Sequence, residues 1–320
     1  MFKTKVTEML GIEHPIVVGT MMWLSTGEFI ASASEAGALG VLASAIYQSK
    51  EEFRDELQKV KTLTKKPFAV NINMFPSMRP IKNDDYIDVL LDEGVRIVET
   101  SGHQAPTEYL PRLKEAGCTC IHKCVGVKYA KKVASIGVDI VTVVGYENGG
   151  ASGNLGLGTV VLAPAVVDAV DIPVICGGGV ADGRGFLAML ALGASGVIMG
   201  TRLLLTEECP IHDNLKNALK DASETDTMLI MHSINAVHRV WINETAKKTA
   251  KLEAEGGSLQ DLLKYIGGET AKKMFDEGDI QSGIIATGQC IGLSREILPM
   301  KDVIEGVIKE AADIRTSLGG

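Results

Sequence analysis

The sequence repeats one pattern for about two thirds of its length: a short apolar run rich in β-branched residues, then a longer amphipathic segment. The apolar runs cover residues 14–22, 39–44, 67–74, 95–102, 118–124, 138–147, 172–179 and 195–204. The segments between them carry apolar residues at helical spacing, and several end in glycine, which commonly follows a helix C-terminus. A period of roughly 25 residues is typical of parallel strands joined by crossover helices.

Eight such units predict an α/β fold, a (β/α)₈ barrel, with a doubly wound open sheet as the alternative. Residues 1–205 would form the barrel, 206–280 a helical segment over its carboxyl-terminal mouth, and 281–320 a return segment packed on the barrel. In a barrel the active site lies at the carboxyl ends of the strands. Those ends carry glycine and polar residues here, so we expect the chemistry at that face.

The charge and cysteine content limit the classes of partner. The net charge is −8 without a long basic run, which favours a small-molecule substrate over nucleic acid or an anionic membrane. The N-terminus lacks a signal-peptide pattern and no apolar run is long enough to span a bilayer, so we expect a cytoplasmic protein. Six cysteines in 320 residues are too few for a disulfide scaffold and predict reduced, buried thiols.

One cluster of potential metal ligands occurs in a single predicted strand. Cys118, Cys120, His122 and Cys124 alternate there and would share one face. A flat row along a strand is a poor tetrahedral cage, and no second cluster completes it. We therefore expect no metal.

Two glycine turns at the last two strand ends indicate a phosphate site. The run CGGGVADGRG (176–185) joins a strand to a helix beginning near Asp182, and Gly200-Thr201-Arg202 follows the next strand. Glycines allow a phosphate to approach backbone N–H groups, and a helix N-terminus would add partial positive charge. A tight structural turn is the alternative. The position at strand seven does not match a dinucleotide fingerprint, which favours a mononucleotide such as FMN or a phosphorylated substrate.

The ordered motifs at these strand ends resemble those of the nitronate monooxygenase family. They are GTMMW, PFAVNINM, VETSG, IHKC, GYENGGASG, PVICGGGVADGRG, ASGVIMGTR and GQCIGL, and they extend over nearly the whole chain. The same superfamily contains FMN-dependent enoyl-acyl-carrier-protein reductases and NAD(P)H:quinone reductases. The resemblance implies an FMN-binding barrel with NAD(P)H as electron donor and, by analogy, a homodimer.

The resemblance also implies roles for individual residues around the flavin. Lys123 would approach the ring or the ribityl chain, and Gln289 would help to close the pocket. The remaining implied cofactor contacts are Gly19, Thr20, Met21, Asn71, Gly150, Gly178, Gly179, Gly200 and Thr201. Asn71 could instead satisfy backbone groups at its strand end, Lys123 could reach solvent, and Met21 could be core packing.

The loop GYENGGASGN departs from the family at one position. Family members usually carry a histidine after the glycine pair, as a base or a polar contact, and Ala151 stands there in this chain. His103, Glu147 and Lys123 are the candidate catalytic replacements. Glu147 would orient the loop or take a proton, or else bond glycine N–H groups. His232 and His238 lie in the tail, where a helix and a mainly structural role are expected.

Alanine cannot accept a proton, so the sequence favours hydride chemistry. The first hypothesis is an FMN-dependent reductase that passes hydride from NAD(P)H to an enoyl thioester or a quinone. The second is a nitronate monooxygenase whose substrate arrives already deprotonated. The other two are a flavin- or phosphate-binding protein without turnover, and a phosphosugar isomerase or lyase using Glu147 and Lys123.

Overall fold

A computed structural model describes residues 2–75, 81–102 and 104–319. Its strands are β1 (Ile16–Val18), β2 (Gly40–Ala43), β3 (Phe68–Asn73), β4 (Ile97–Ser101), β5 (Thr119–Cys124), β6 (Ile140–Val144), β7 (Gly150–Ala151), β8 (Val174–Gly177), β9 (Gly196–Met199), β10 (Thr227–Ile230) and β11 (His238–Trp241).

The helices alternate with the strands in the first two thirds of the chain and follow one another in the last third. They are α1 (Lys5–Leu10), α2 (Gly27–Glu35), α3 (Lys50–Leu63), α4 (Asn83–Asp92), α5 (Leu110–Glu115), α6 (Val127–Ser135), α7 (Thr159–Val167), α8 (Gly183–Ala191), α9 (Asp213–Lys220), α10 (Glu244–Ala254), α11 (Leu259–Ile266), α12 (Gly268–Glu277) and α13 (Met300–Ser317). Short 3₁₀ segments cover Ser44–Ile46, Thr201–Leu205 and Gln289–Leu293.

Eight parallel strands form a closed barrel. The order around the sheet is β1-β9-β8-β6-β5-β4-β3-β2, and every pair is parallel. Its two end strands meet, because the Val18 N–H donates to the Leu39 carbonyl and the Leu39 N–H to the Ile16 carbonyl, each at 2.9 Å. The predicted barrel and its eight strands are confirmed, and the open sheet is excluded.

Alternate strand residues fill the barrel interior with branched side chains. Val17, Val41, Ile121, Ile175 and Ile198 belong to one buried cluster there. Val6 and Leu10 of α1 join the same cluster, so this first helix closes the amino-terminal end of the barrel. The opposite strand faces lie in a larger cluster shared with the surrounding helices. The carboxyl-terminal end is thus the end that remains open to a ligand.

A second, three-stranded antiparallel sheet lies over the mouth, in the order β10-β11-β7. The helix expected in the tail around His238 is wrong at that position, because His238–Trp241 is a strand. Asn243 shows why: its side chain accepts from the Ala246 N–H at 2.9 Å, so it is the N-cap that starts α10. The helical pattern begins after this cap and does not extend back through β11.

The last helix returns to the barrel. Helix α13 packs against α8 and α2 and completes the ring of helices. All six cysteines are unpaired and buried, as predicted. Across the described ranges we find no group of three or more His, Cys, Asp or Glu arranged to hold a metal. Within those ranges, too, no helix combines the length and apolarity needed to cross a membrane.

Candidate active site

A cavity of about 960 Å³ opens at the carboxyl ends of the barrel strands. Its floor is formed by the strand ends and the two glycine turns, where polar groups and exposed backbone predominate. Its roof is formed mainly by apolar side chains of the segments beyond the barrel. Roof residues include Val237, Val240, Ile266, Ala271, Phe275, Ile284 and Ile285. The cavity therefore combines a polar end, suited to a phosphate and a heterocycle, with an apolar end suited to a carbon skeleton.

A buried carboxylate, Glu99 of β4, organises the floor. Its Oε1 accepts from the Thr20 hydroxyl and from the Asn71 side-chain amide, each at 2.7 Å, and lies 3.4 Å from Lys123 Nζ. Asn71 also donates to the Ser101 hydroxyl at 3.1 Å. Lys123 is thus held in an ion pair with a buried carboxylate at the cavity floor. Asn71 bonds side chains of the neighbouring strand, not only backbone.

Sequence reasoning did not assign a role to Glu99, although it is fully buried. The available signal was a carboxylate within an otherwise apolar strand, because a buried charge needs a charged or hydrogen-bonding partner. Lys123 is that partner. Among the described residues, nothing bonds the second carboxylate oxygen of Glu99.

Glu147 anchors the loop that follows β6. Its two carboxylate oxygens accept from the Thr159 N–H at 3.1 and 3.0 Å, and one also accepts from the Thr159 hydroxyl at 2.8 Å. Thr159 is the first residue of α7, so Glu147 caps that helix. The Glu147 carbonyl accepts from the Gln289 N–H at 3.0 Å, which joins the loop to the return segment. Glu147 and Lys123 therefore bond separate partners and form no acid–base pair.

The two glycine turns present backbone donors to the cavity. Gly178 and Gly179 adopt φ angles of 94° and 82°, which glycine tolerates best. In the described part of the chain, the N–H groups of Gly178, Gly200 and Thr201 donate to no protein acceptor, whereas the Gly179 N–H faces the Cys290 sulfur. A Cβ added at Gly200 would come no closer to another residue than 3.9 Å, to Met21 Sδ, so the space beside it is open.

The expected contribution of the α8 N-terminus to this cradle is wrong. Asp182 is the N-cap and accepts from the N–H groups of Arg184 and Gly185 at 3.0 and 3.1 Å. The Gly183 N–H donates to Glu310 at 2.7 Å. Carboxylates of the protein already occupy the first turn of this helix. Any phosphate would be held by the turns themselves.

The other residues expected at the cofactor are distributed around the cavity. Gly19, Thr20, Met21 and Gly150 line it. Thr201 lines it too, and its hydroxyl accepts from the Gly288 N–H at 2.8 Å. Cys290 lies in the lining and Gln289 does not, although the Gln289 backbone supports the loop. His103 lies outside the described residues.

His122, on the strand that carries Lys123, also borders the cavity. It is 4% exposed, and its Nδ1 lies 2.7 Å from the Thr100 hydroxyl. Burial lowers the pKa of His122 to about 4, with the nearby Glu99 carboxylate partly opposing the effect. The imidazole is therefore neutral at pH 7.

Ala151 lies in β7 on the cavity wall. Its cross-strand partner in β11 is His238, which also lines the cavity. The sequence did not predict this pairing because it depends on the register between segments nearly ninety positions apart.

Comparison with known proteins identifies the relationship. A profile of the nitronate monooxygenase family matches residues 3–83 and 73–310. The chain belongs to the nitronate monooxygenase family. This family is flavin-dependent, and its members related to this chain are oxidoreductases, which makes the protein an enzyme of that class.

This chain is similar to three proteins that carry different names. A Rhodococcus jostii (strain RHA1) protein named (3aS,4S,5R,7aS)-5-hydroxy-7a-methyl-1-oxo-octahydro-1H-indene-4-carboxyl-CoA dehydrogenase is 35% identical, covering 99% of this chain and 98% of its own. The structure of FabK from Thermotoga maritima superposes with a TM-score of 0.92 at 34% identity, covering 100% and 99%. Nitroalkane oxidase from Streptomyces ansochromogenes gives 0.84 at 27% identity, covering 98% and 99%.

Proposed function

We propose that this enzyme binds FMN and uses NAD(P)H to reduce the activated carbon–carbon double bond of an acyl thioester. The observation that carries the proposal is the cradle at the ends of β8 and β9. Three backbone N–H groups there, those of Gly178, Gly200 and Thr201, have no protein acceptor among the described residues, and open space lies beside Gly200. Such a set suits a dianionic phosphate monoester, the group by which a flavin mononucleotide would be held.

The floor residues fit the remainder of the cofactor. When bound, FMN would supply a hydride donor and acceptor. Lys123 would place positive charge near the ring, and a fixed cation favours a neighbouring group that becomes negative. Glu99 would keep this ammonium in place while Thr20 and Asn71 share the same carboxylate oxygen. These contacts orient the polar side chains of the floor.

The thioester assignment rests on the roof and on the Rhodococcus relative. The roof offers an apolar surface to an acyl group. The relative, matched over nearly its whole length, acts by its name on a coenzyme A thioester. Ala151 itself supplies no base in the loop, and reduction of a double bond needs only a hydride and one proton.

The test is anaerobic absorbance spectroscopy of the purified protein. Flavin bands at about 370 and 450 nm should bleach with NADPH or NADH, and the nucleotide that bleaches them is the electron donor. Crotonyl-CoA, added next, should restore them, whereas a quinone should restore them more slowly. Bands that NAD(P)H never bleaches would contradict the reductase assignment, and failure to bind added FMN would contradict the cofactor assignment.

Gly200→Ala tests the cradle itself. The added methyl group meets no protein atom closer than 3.9 Å, so the variant should fold normally while occupying the phosphate space. We expect the Kd for FMN to rise at least tenfold, with an unchanged unfolding midpoint of the apoprotein. Gly306→Ala, at an exposed glycine of α13, is the matched control and should keep the wild-type affinity. Unchanged affinity in Gly200→Ala would place the phosphate elsewhere.

Oxidation of nitronates by oxygen is the second candidate. A nitronate is already an anion, so it needs no base at position 151, and Lys123 would attract it. The Streptomyces nitroalkane oxidase shares this fold and 27% of the sequence. Oxygen consumption with propyl-2-nitronate that exceeds the NAD(P)H-dependent turnover of crotonyl-CoA would favour this candidate.

A further inference from the structure

The antiparallel pair of β7 and β11 places a histidine beside the alanine of the catalytic loop. His238 and Ala151 are direct cross-strand partners. Opposed residues point to the same face, with Cβ atoms about 5 Å apart. Both residues line the cavity. The His238 imidazole therefore occupies the neighbourhood that a histidine at position 151 would occupy, although it comes from a different segment.

Contacts on β11 fix the register that creates this arrangement. The next pair in the ladder is Arg239 with Gly150. Arg239 Nε donates to the Tyr146 carbonyl at 3.1 Å, and its guanidinium lies 4.5 Å from the centre of the Tyr146 ring. On the other side, the Thr287 N–H donates to the Arg239 carbonyl. A slip by one residue would break all of these contacts and turn His238 away from the cavity.

The ring orientation is also defined. His238 Nδ1 lies 2.5 Å from the Ala236 carbonyl oxygen. A carbonyl can only accept, so Nδ1 carries a hydrogen and Nε2 is the nitrogen that gains or loses a proton.

We propose that His238 is the proton donor of the reaction, in place of the histidine that Ala151 lacks. This inference rests on the proposed reductase function. In that reaction a reduced flavin, when bound, would supply a hydride to the β-carbon of the enoyl thioester and would itself be oxidised by two electrons. The electron pair of the double bond moves to the α-carbon, which takes the proton from Nε2 of the imidazolium. The imidazole then regains a proton from water.

The variants are His238→Gln, the double variant His238→Gln with Ala151→His, and the control His232→Gln. His232 is exposed and lies outside the cavity lining. Stopped-flow absorbance would follow flavin reduction by NAD(P)H and then re-oxidation by crotonyl-CoA. In His238→Gln we expect reduction within about twofold of wild type, and re-oxidation about 100-fold slower, the usual contribution of a positioned acid.

The double variant distinguishes a chemical role from a structural one. Because positions 151 and 238 are opposed, a histidine at 151 should restore at least a tenth of the wild-type re-oxidation rate. The control should behave as wild type. A wild-type re-oxidation rate in His238→Gln would overturn the inference, and so would a slow rate that the double variant leaves unrepaired.

A second readout does not depend on turnover. In ¹H–¹⁵N spectra of histidine side chains, His238 should show Nδ1–H, and saturated butyryl-CoA should shift its Nε2 resonance but not that of His232. If butyryl-CoA leaves the His238 resonance unshifted, the imidazole does not contact the substrate and the inference is overturned. If the wild-type flavin is never re-oxidised by crotonyl-CoA, the proposed function fails. A butyryl-CoA shift at His238 would then still place the ring in the acyl site.

Discussion

His122 is a neutral histidine buried beside charged residues. It bonds Thr100, and both Glu99 and Lys123 act on it from β4 and β5. Burial lowers its pKa from 6.5 to about 4. Between these two values the unfolded chain binds more protons than the folded chain, so the free energy of unfolding falls as pH falls from about 6.5 to about 4.

The expected size of this effect is about 2 kcal/mol between pH 7 and pH 5, since one pKa unit corresponds to about 1.4 kcal/mol. Denaturant unfolding at the two pH values should show wild type losing about that much more stability than His122→Gln. A direct ¹H–¹⁵N titration avoids any folding defect of the variant. Titration of the His122 ring near pH 6.5 would contradict the expected depression.

The glycines of the site could be predicted from sequence, whereas the partners of its charged residues could not. Gly178 and Gly179 could be recognised in the sequence as a turn, because few other residues tolerate their backbone angles. The role of Glu99 depends on register, since β3 places Asn71 beside it. Lys123 reaches Glu99 only because β5 pairs with β4. No local pattern specifies such pairs.

Helix α7 and the loop before it depend on Glu147 as a cap. Glu147→Ala removes both acceptors of the Thr159 N–H and should destabilise the protein by about 1 kcal/mol, as the loss of a helix cap does. FMN affinity should fall with it, because the loop lines the cavity. Denaturant unfolding and FMN titration would measure both effects.

Glu147→Gln is the matched control for this cap. Gln retains one acceptor for the Thr159 N–H and should recover part of the lost stability. If both variants kept wild-type stability and FMN affinity but lost turnover, Glu147 would instead act in proton transfer.

The barrel strands were predictable as elements, and the small sheet was not. Each barrel strand is an apolar run long enough to bury on both faces, which gives a strong sequence signal. Strand β11 has only four residues. A turn precedes it in the sequence, and helix α10 begins shortly after it. Its conformation comes from pairing with β7 and β10, so short-range patterns carry little information about it.

At the scale of the whole molecule, a helix from the end of the chain packs on the ring of helices around the barrel. Helix α13 approaches α8 at Gly183, whose N–H donates to Glu310. A Cβ at Gly183 would lie 2.4 Å from the Ala311 nitrogen and 2.7 Å from the Val307 carbonyl oxygen. These are backbone atoms of α13, so the helix itself would have to move.

Gly183→Ala should therefore destabilise the protein by about 2 kcal/mol, within the usual range for overpacking. Gly306→Ala lies in the same helix α13 with no atom within 4 Å of the added carbon, and should stabilise by about 0.5–1 kcal/mol through helix propensity. Equilibrium unfolding of both variants measures the contrast. Equal, small effects of both variants would show that α13 can separate from α8 without cost. Opposite signs would instead show that the carboxyl-terminal helix supports the barrel on which the site is built.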